Sequence, residues 1–125
     1  MHLGICAQRL ATVQTGVARY LSNLLDEWAR TGLPFERVSL FAPRPLAVDA
    51  RYRQIVGGAG WSRFAWEHAW LPLQARRHGV DLLFCPSNVV PLGHRGPAVV
   101  TIHDVIQEAM PGEFPFSSRF RHAPL

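Results

Sequence analysis

Short apolar runs alternate along the chain with segments whose apolar positions recur every three or four residues. His2 to Cys6 is a brief run of strand character, after which Val17, Leu21, Leu24, Leu25 and Trp28 fall on one face of a helix. Thr15 is a candidate N-cap for that helix and Gly32 a candidate stop, about four turns apart. Val38 to Ala42 predicts a second strand, closed by Pro43 and Pro45. Tyr52 to Val56 predicts a third, ahead of a turn at Gly57, Gly58 and Gly60. From Ser62 to His78 the pattern is helical and aromatic. Trp66, Trp70 and Leu73 lie on one side and Phe64, His68 and Leu71 on another, so both sides are expected to be buried. Pro72 must kink or restart this helix, since it lacks an amide hydrogen and crowds the preceding turn. Asp81 to Cys85 and Ala98 to Ile102 predict two more buried strands, the second ending abruptly in His103-Asp104. Beyond Asp104 the chain is broken by prolines, with one short helix expected around Ser117 to His122.

Strands that alternate with helices define an α/β fold, a Rossmann-like parallel sheet with helices on both faces built by right-handed crossovers. Strand order 3-2-1-4-5 would set the first and fourth strands side by side and bring Cys6 near Cys85. Residues 86–97 join two strands without an evident helix. In such sheets ligands bind beyond the carboxyl ends of the strands, where the strand order reverses. The connections that qualify are Ala7 to Gly16, Pro86-Ser87-Asn88 and His103-Asp104.

The 125 residues, 48% of them hydrophobic, suit one domain with a real core. All thirteen basic residues are arginine, against nine acids, for a net charge of +4. Arginine offers a fixed fork to phosphate or carboxylate, which fits an anionic ligand. The arginines are scattered rather than drawn into a stripe, so nucleic acid is not an expected partner. The two cysteines and the lack of a leader pattern point to the cytoplasm, with the thiols packing as small apolar groups. No apolar run approaches the roughly 20 residues of a membrane span, so membrane contact would be peripheral.

Gly16, at the expected start of the first helix, would let a ligand approach backbone N–H groups where the helix dipole favours negative charge; a diphosphate is the natural guest. Arg19 follows in the first turn, where a cation is favourable only beside an anion or an acidic side chain. His103 and Asp104 admit three readings: a site pair, a metal fragment, or a helix cap supplied by Asp104. Metal is not expected, because neighbouring residues diverge and no other ligand stands at a suitable spacing. A histidine at a strand end suits sugar hydroxyls or proton transfer near neutral pH. Arg76, Arg77 and His78 before Gly79 read as ordinary helix termination. Trp66 and Trp70 read as core, while Glu67 between them remains open among exposed, buried and functional. A nicotinamide or flavin enzyme is disfavoured, because the first turn lacks Gly-x-Gly-x-x-Gly and no acid ends the second strand. Ser87 lies outside any Gly-x-Ser-x-Gly elbow, which disfavours a hydrolase.

Thr15-Gly16-Val17-Ala18-Arg19-Tyr20 followed by Leu24-Leu25 resembles the glycine loop and first helix of family 4 glycosyltransferases, the retaining group with the two-domain GT-B fold. Trp66-Glu67-His68 with Leu71-Pro72 resembles the Trp-Glu-Gln and Leu-Pro segment of one branch. Asp81-Leu82-Leu83, Pro86-Ser87-Asn88, Pro91-Leu92 and Thr101-Ile102-His103-Asp104-Val105-Ile106 follow in that branch's order. Thr15 stands where many members carry glycine, and His68 replaces glutamine. The resemblance implies that residues 1–125 are the N-terminal, acceptor-side half of a GT-B fold, incomplete even as one domain, with the C-terminal nucleotide-sugar domain absent. It implies transfer from a nucleotide-diphosphate sugar to a saccharide or lipid-linked acceptor with retention, and no cofactor beyond that substrate. Gly16 and Arg19 would face the donor diphosphate, His103 and Asp104 would be catalytic, and Ser87 and Asn88 would line the acceptor side. The isolated chain is expected to be inactive, prone to self-association, and cytoplasmic or peripheral at the inner membrane face. The alternative is a non-catalytic Rossmann-like binding or interaction domain, or half of a split enzyme.

Overall fold

The structure is a computed structural model that describes residues 1–11, 16–86 and 89–101. Its five strands are β1 (His2–Cys6), β2 (Arg37–Ala42), β3 (Arg53–Val56), β4 (Leu82–Cys85) and β5 (Ala98–Val100). They form one parallel sheet, as the α/β alternation predicts, in the order β3-β2-β1-β4-β5, the order that makes the first and fourth strands neighbours. The protein has a Rossmann-like α/β fold.

A 3₁₀ turn (Gln8–Ala11) follows β1, and α1 (Gly16–Thr31) leads to β2. Gly32 ends α1, its N–H donating to the Trp28 carbonyl at 2.8 Å. Between β3 and β4 the chain runs through α2 (Arg63–Ala65), a π turn (Trp66–Trp70) and α3 (Leu71–Arg77). Ser62 caps α2 by accepting from the Ala65 N–H at 3.1 Å. Pro72 enters α3 in its first turn, where its missing N–H costs least, so the helix restarts at the proline as its chemistry requires. Gly79 closes α3 at φ +69°, and the Val80 N–H returns to the Ala75 carbonyl at 3.0 Å.

Side chains of the central strands alternate between two cores, one on each face of the sheet. Leu3, Ile5, Val38, Leu40 and Phe84 meet Leu21 and Leu25 of α1, with Trp28 and Leu24 at the margin. Cys6, Phe41, Leu83 and Cys85 meet Trp66, Trp70, Leu71 and Ala75 on the other face. Burial on both faces explains why β1, β2 and β4 read as near-continuous apolar runs. Tyr52 ties β3 to α1 through its hydroxyl, which donates to the Leu25 carbonyl at 2.7 Å. Gln54 pins the chain after β2 like a strand neighbour, accepting from the Leu46 N–H at 2.8 Å and donating to its carbonyl at 2.9 Å.

Two expectations are corrected. The aromatic helix does not bury both sides: Phe64 is 66% exposed and Leu73 50%. The last strand is not buried either, since β5 is the outer strand among the described residues, with Ala98 and Val99 exposed. The short helix expected near Ser117 lies outside the described residues.

Candidate functional site

In strand order 3-2-1-4-5 the chain leaves β1 over one face towards β2, whereas β4 is reached over the opposite face. The neighbouring carboxyl ends of β1 and β4 therefore form the switch point at which such sheets bind ligands. Gly16 opens α1 beside this edge; it is exposed, and a Cβ added to it would meet nothing within 4 Å. Among the described residues nothing covers the start of this 16-residue helix at the switch point, where the positive end of its dipole lies. Arg19, one turn inward, is exposed as well.

Ile5 is registered against Phe84, so the next pair along the two strands is Cys6 and Cys85, as the strand order predicted. Both are buried on the α2–α3 face. Burial pushes the Cys6 thiol up to about 12 and raises Cys85 as well, so these are inert packing groups rather than nucleophiles.

Three charged residues gather at this edge. Arg9 lies in the 3₁₀ turn after β1, with its Nε screened from solvent. Burial lowers its pKa first and the like charge of Arg63 second, while Glu67 acts the other way. Glu67 itself is buried, its side chain only 10% exposed. Its negative charge adds to the burial that raises both thiols, and opposes the lowering of Arg9. His68 Nδ1 accepts the Leu92 N–H at 2.9 Å, so the neutral ring carries its proton on Nε2, 3.9 Å from Glu67 Oε2. Sequence left Glu67 open, and its one signal was its position inside an apolar helical stripe.

Gly16 is therefore brought to the switch point with Arg19 in the next turn. Thr15, Ser87, Asn88, His103 and Asp104 lie outside the described residues. Trp66 and Trp70 are core, as expected, stacked on each other with ring centroids 5.0 Å apart. Among the described residues no group of His, Cys, Asp and Glu is arranged to hold a metal ion. No helix among them is long and apolar enough to cross a membrane. A groove of about 610 Å³ lies beside α3 and the residues entering β5, lined in part by His68, Pro72, Arg76, His94 and Arg95, on the amino-end side of the strands. Comparison of the chain with protein-family models, curated proteins and solved structures gave no match.

Proposed function

We propose that this chain is the acceptor-side, N-terminal part of a retaining glycosyltransferase that moves a sugar from a nucleotide-diphosphate donor to a saccharide or lipid-linked saccharide. The observation that carries the reading is Gly16 opening α1 onto the switch point between β1 and β4. A helix N-terminus that no described side chain covers at Gly16 suits a diphosphate, and the ordered motifs around Gly16, Trp66 and Thr101 resemble this class of enzyme. In that role Gly16 and Arg19 meet the donor diphosphate, and His103 and Asp104 meet the transferring sugar or the acceptor hydroxyl. Ser87 and Asn88 line the acceptor side. The reading assigns no cofactor, since the nucleotide sugar is itself substrate. It sets the enzyme in the cytoplasm, with any membrane contact peripheral.

A transferase of this kind excludes water and aligns its reactants between two walls, of which residues 1–125 provide one. These residues alone are expected to bind nucleotide diphosphate weakly and to turn nothing over. Titrating the ¹⁵N-labelled chain with UDP, GDP and ADP should move the Gly16 and Val17 amides saturably, with no sugar transfer in a parallel assay using the matching nucleotide sugars. If none of the three diphosphates moves those amides, the transferase reading falls and a non-catalytic interaction domain takes its place.

A further inference from the structure

The connection from β4 to β5 is fastened to the crossover helix at several points. The Leu92 N–H donates to His68 Nδ1 at 2.9 Å, and Gly93 lies so close that a Cβ on it would stand 2.9 Å from the His68 carbonyl oxygen and 3.3 Å from Pro72 Cγ. The His94 N–H closes a turn on the Pro91 carbonyl at 3.1 Å, and the His94 ring donates from Nε2 to the Pro97 carbonyl at 3.1 Å. Between this clamped connection and α3 runs the groove of about 610 Å³, a volume within the range of small-molecule sites. Val80 and Gly96 in its lining lead into β4 and β5, which sets it at the amino ends of the strands, the end of the sheet opposite Gly16.

Arg76 enters the lining from α3 and Arg95 from the connection, and no acidic residue lines the groove. Among the described residues neither guanidinium makes an ion pair or a hydrogen bond. The hollow beside α1 makes the contrast: at about 550 Å³ it sets Arg30 with Asp26 and Asp49, so its charges are answered from within. Helix termination explains a cation at position 76, but not a second one on the facing wall. Two forks of like charge favour a dianion over a monoanion, and a phosphate monoester carries close to two charges at neutral pH. Pro72, Leu73 and Val80 add apolar surface to the same groove. We propose that this groove binds a small soluble phosphate monoester with an apolar body, its phosphate held by Arg76 and Arg95 and its body against Pro72 and Leu73. The site stands apart from the helix start at Gly16 and does not depend on the transferase reading.

Phenyl phosphate, titrated into the ¹⁵N-labelled chain at about 0.15 M salt to screen diffuse attraction, tests it directly. It should move the Gly93, His94, Arg95 and Gly96 amides saturably and bind about tenfold more tightly than inorganic phosphate. Arg76→Gln and Arg95→Gln should each weaken it about tenfold without lowering Tm, while Arg77→Gln, just outside the lining, leaves it intact. Leu73→Ser, at a half-exposed position, should erase most of the advantage over inorganic phosphate and spare inorganic phosphate itself. Equal losses in all three arginine variants, or equal affinity for the two phosphates, would reduce the effect to diffuse surface charge and overturn the proposal. Silent groove amides refute it outright, as does capture on phosphatidylcholine vesicles containing phosphatidic acid with no response to phenyl phosphate. The UDP response at Gly16 is a separate readout that Arg95→Gln should not change, so either site can fail and leave the other standing.

Discussion

The imidazole of His2 is 1% exposed with both ring nitrogens engaged, Nε2 with the Ser39 hydroxyl at 2.6 Å and Nδ1 with the His78 carbonyl at 3.1 Å. The carbonyl only accepts, so Nδ1 donates to it, Nε2 accepts from Ser39, and the ring is neutral. Its pKa is lowered by burial first and by the neighbouring Arg37 second. The unfolded chain therefore takes up a proton below about pH 6.5 that the folded chain refuses until a lower pH. Stability from this residue is complete above about pH 6.5 and is lost as pH falls towards the depressed folded value. His2→Phe should lower stability by about 2 kcal/mol at pH 7.5, by stranding a hydroxyl and a carbonyl. It should also flatten the fall of Tm between about pH 6.5 and 5. A variant whose acid slope matches the parent's would show that another group carries it. The thiols make the complementary point, since a raised pKa withdraws the thiolate that alkylation needs. Iodoacetamide at pH 8 should leave Cys6 and Cys85 unmodified in the native chain and label both in urea, counted by mass spectrometry; rapid native labelling would contradict their burial.

At the level of elements, the crossover helix shows what a periodic pattern can and cannot convey. An ideal α-helix carries Leu73 round to the side of Trp66 and Trp70, but the Leu71 N–H reaches back to the Trp66 carbonyl, closing a π turn. The extra residue rotates the following turn, so Leu71 and Ala75 continue the buried stripe and Leu73 turns outward. Nothing in the side-chain pattern announces that slip except Pro72 just beyond it. The same turn seats the tryptophan pair against the loop after β3, where the Trp66 indole N–H donates to the Gly57 carbonyl at 2.9 Å. Gly58 there has φ +73°, and a methyl on it would lie 2.8 Å from Trp66 Cδ1. Gly58→Ala should therefore cost about 2 kcal/mol in urea unfolding, from a left-handed backbone and a displaced indole together. Gly60→Ala, whose added methyl meets nothing within 4 Å, should be close to neutral. Equal effects in the two variants would mean that the tryptophans do not depend on this close approach.

Across the whole molecule, the parallel α/β sheet was legible because strands alternate with helices, and 3-2-1-4-5 is one of the few orders that right-handed crossovers leave open to five such strands. Gly16 was legible for the same reason, since a glycine that starts the first helix of such a fold falls at the switch point. Glu67 was not, because its burial depends on how the crossover helix, through its π turn, packs on the sheet, and a charged residue beside an apolar stripe reads equally as exposed. The status of β5 was hidden in a related way. Ala98-Val99-Val100 has the composition of a central strand, yet it pairs with β4 alone among the described residues and leaves Val99 49% exposed. Leu92 and Val90, in the chain leading to it, are exposed too. An apolar strand paired on one side only among the described residues is a template for pairing with another chain. Residues 1–125 should accordingly self-associate as concentration rises, visible as a growing weight-average mass in sedimentation or light scattering. Val99→Lys puts a charge on that edge and should shift the chain towards monomer with little change in Tm, since Val99 contributes little to either core. If the parent stays monomeric at high concentration, β5 is not an adhesive edge. If it associates and Val99→Lys associates equally, the contact lies elsewhere, with the exposed Phe64 and Leu73 of the crossover helix the next surface to charge.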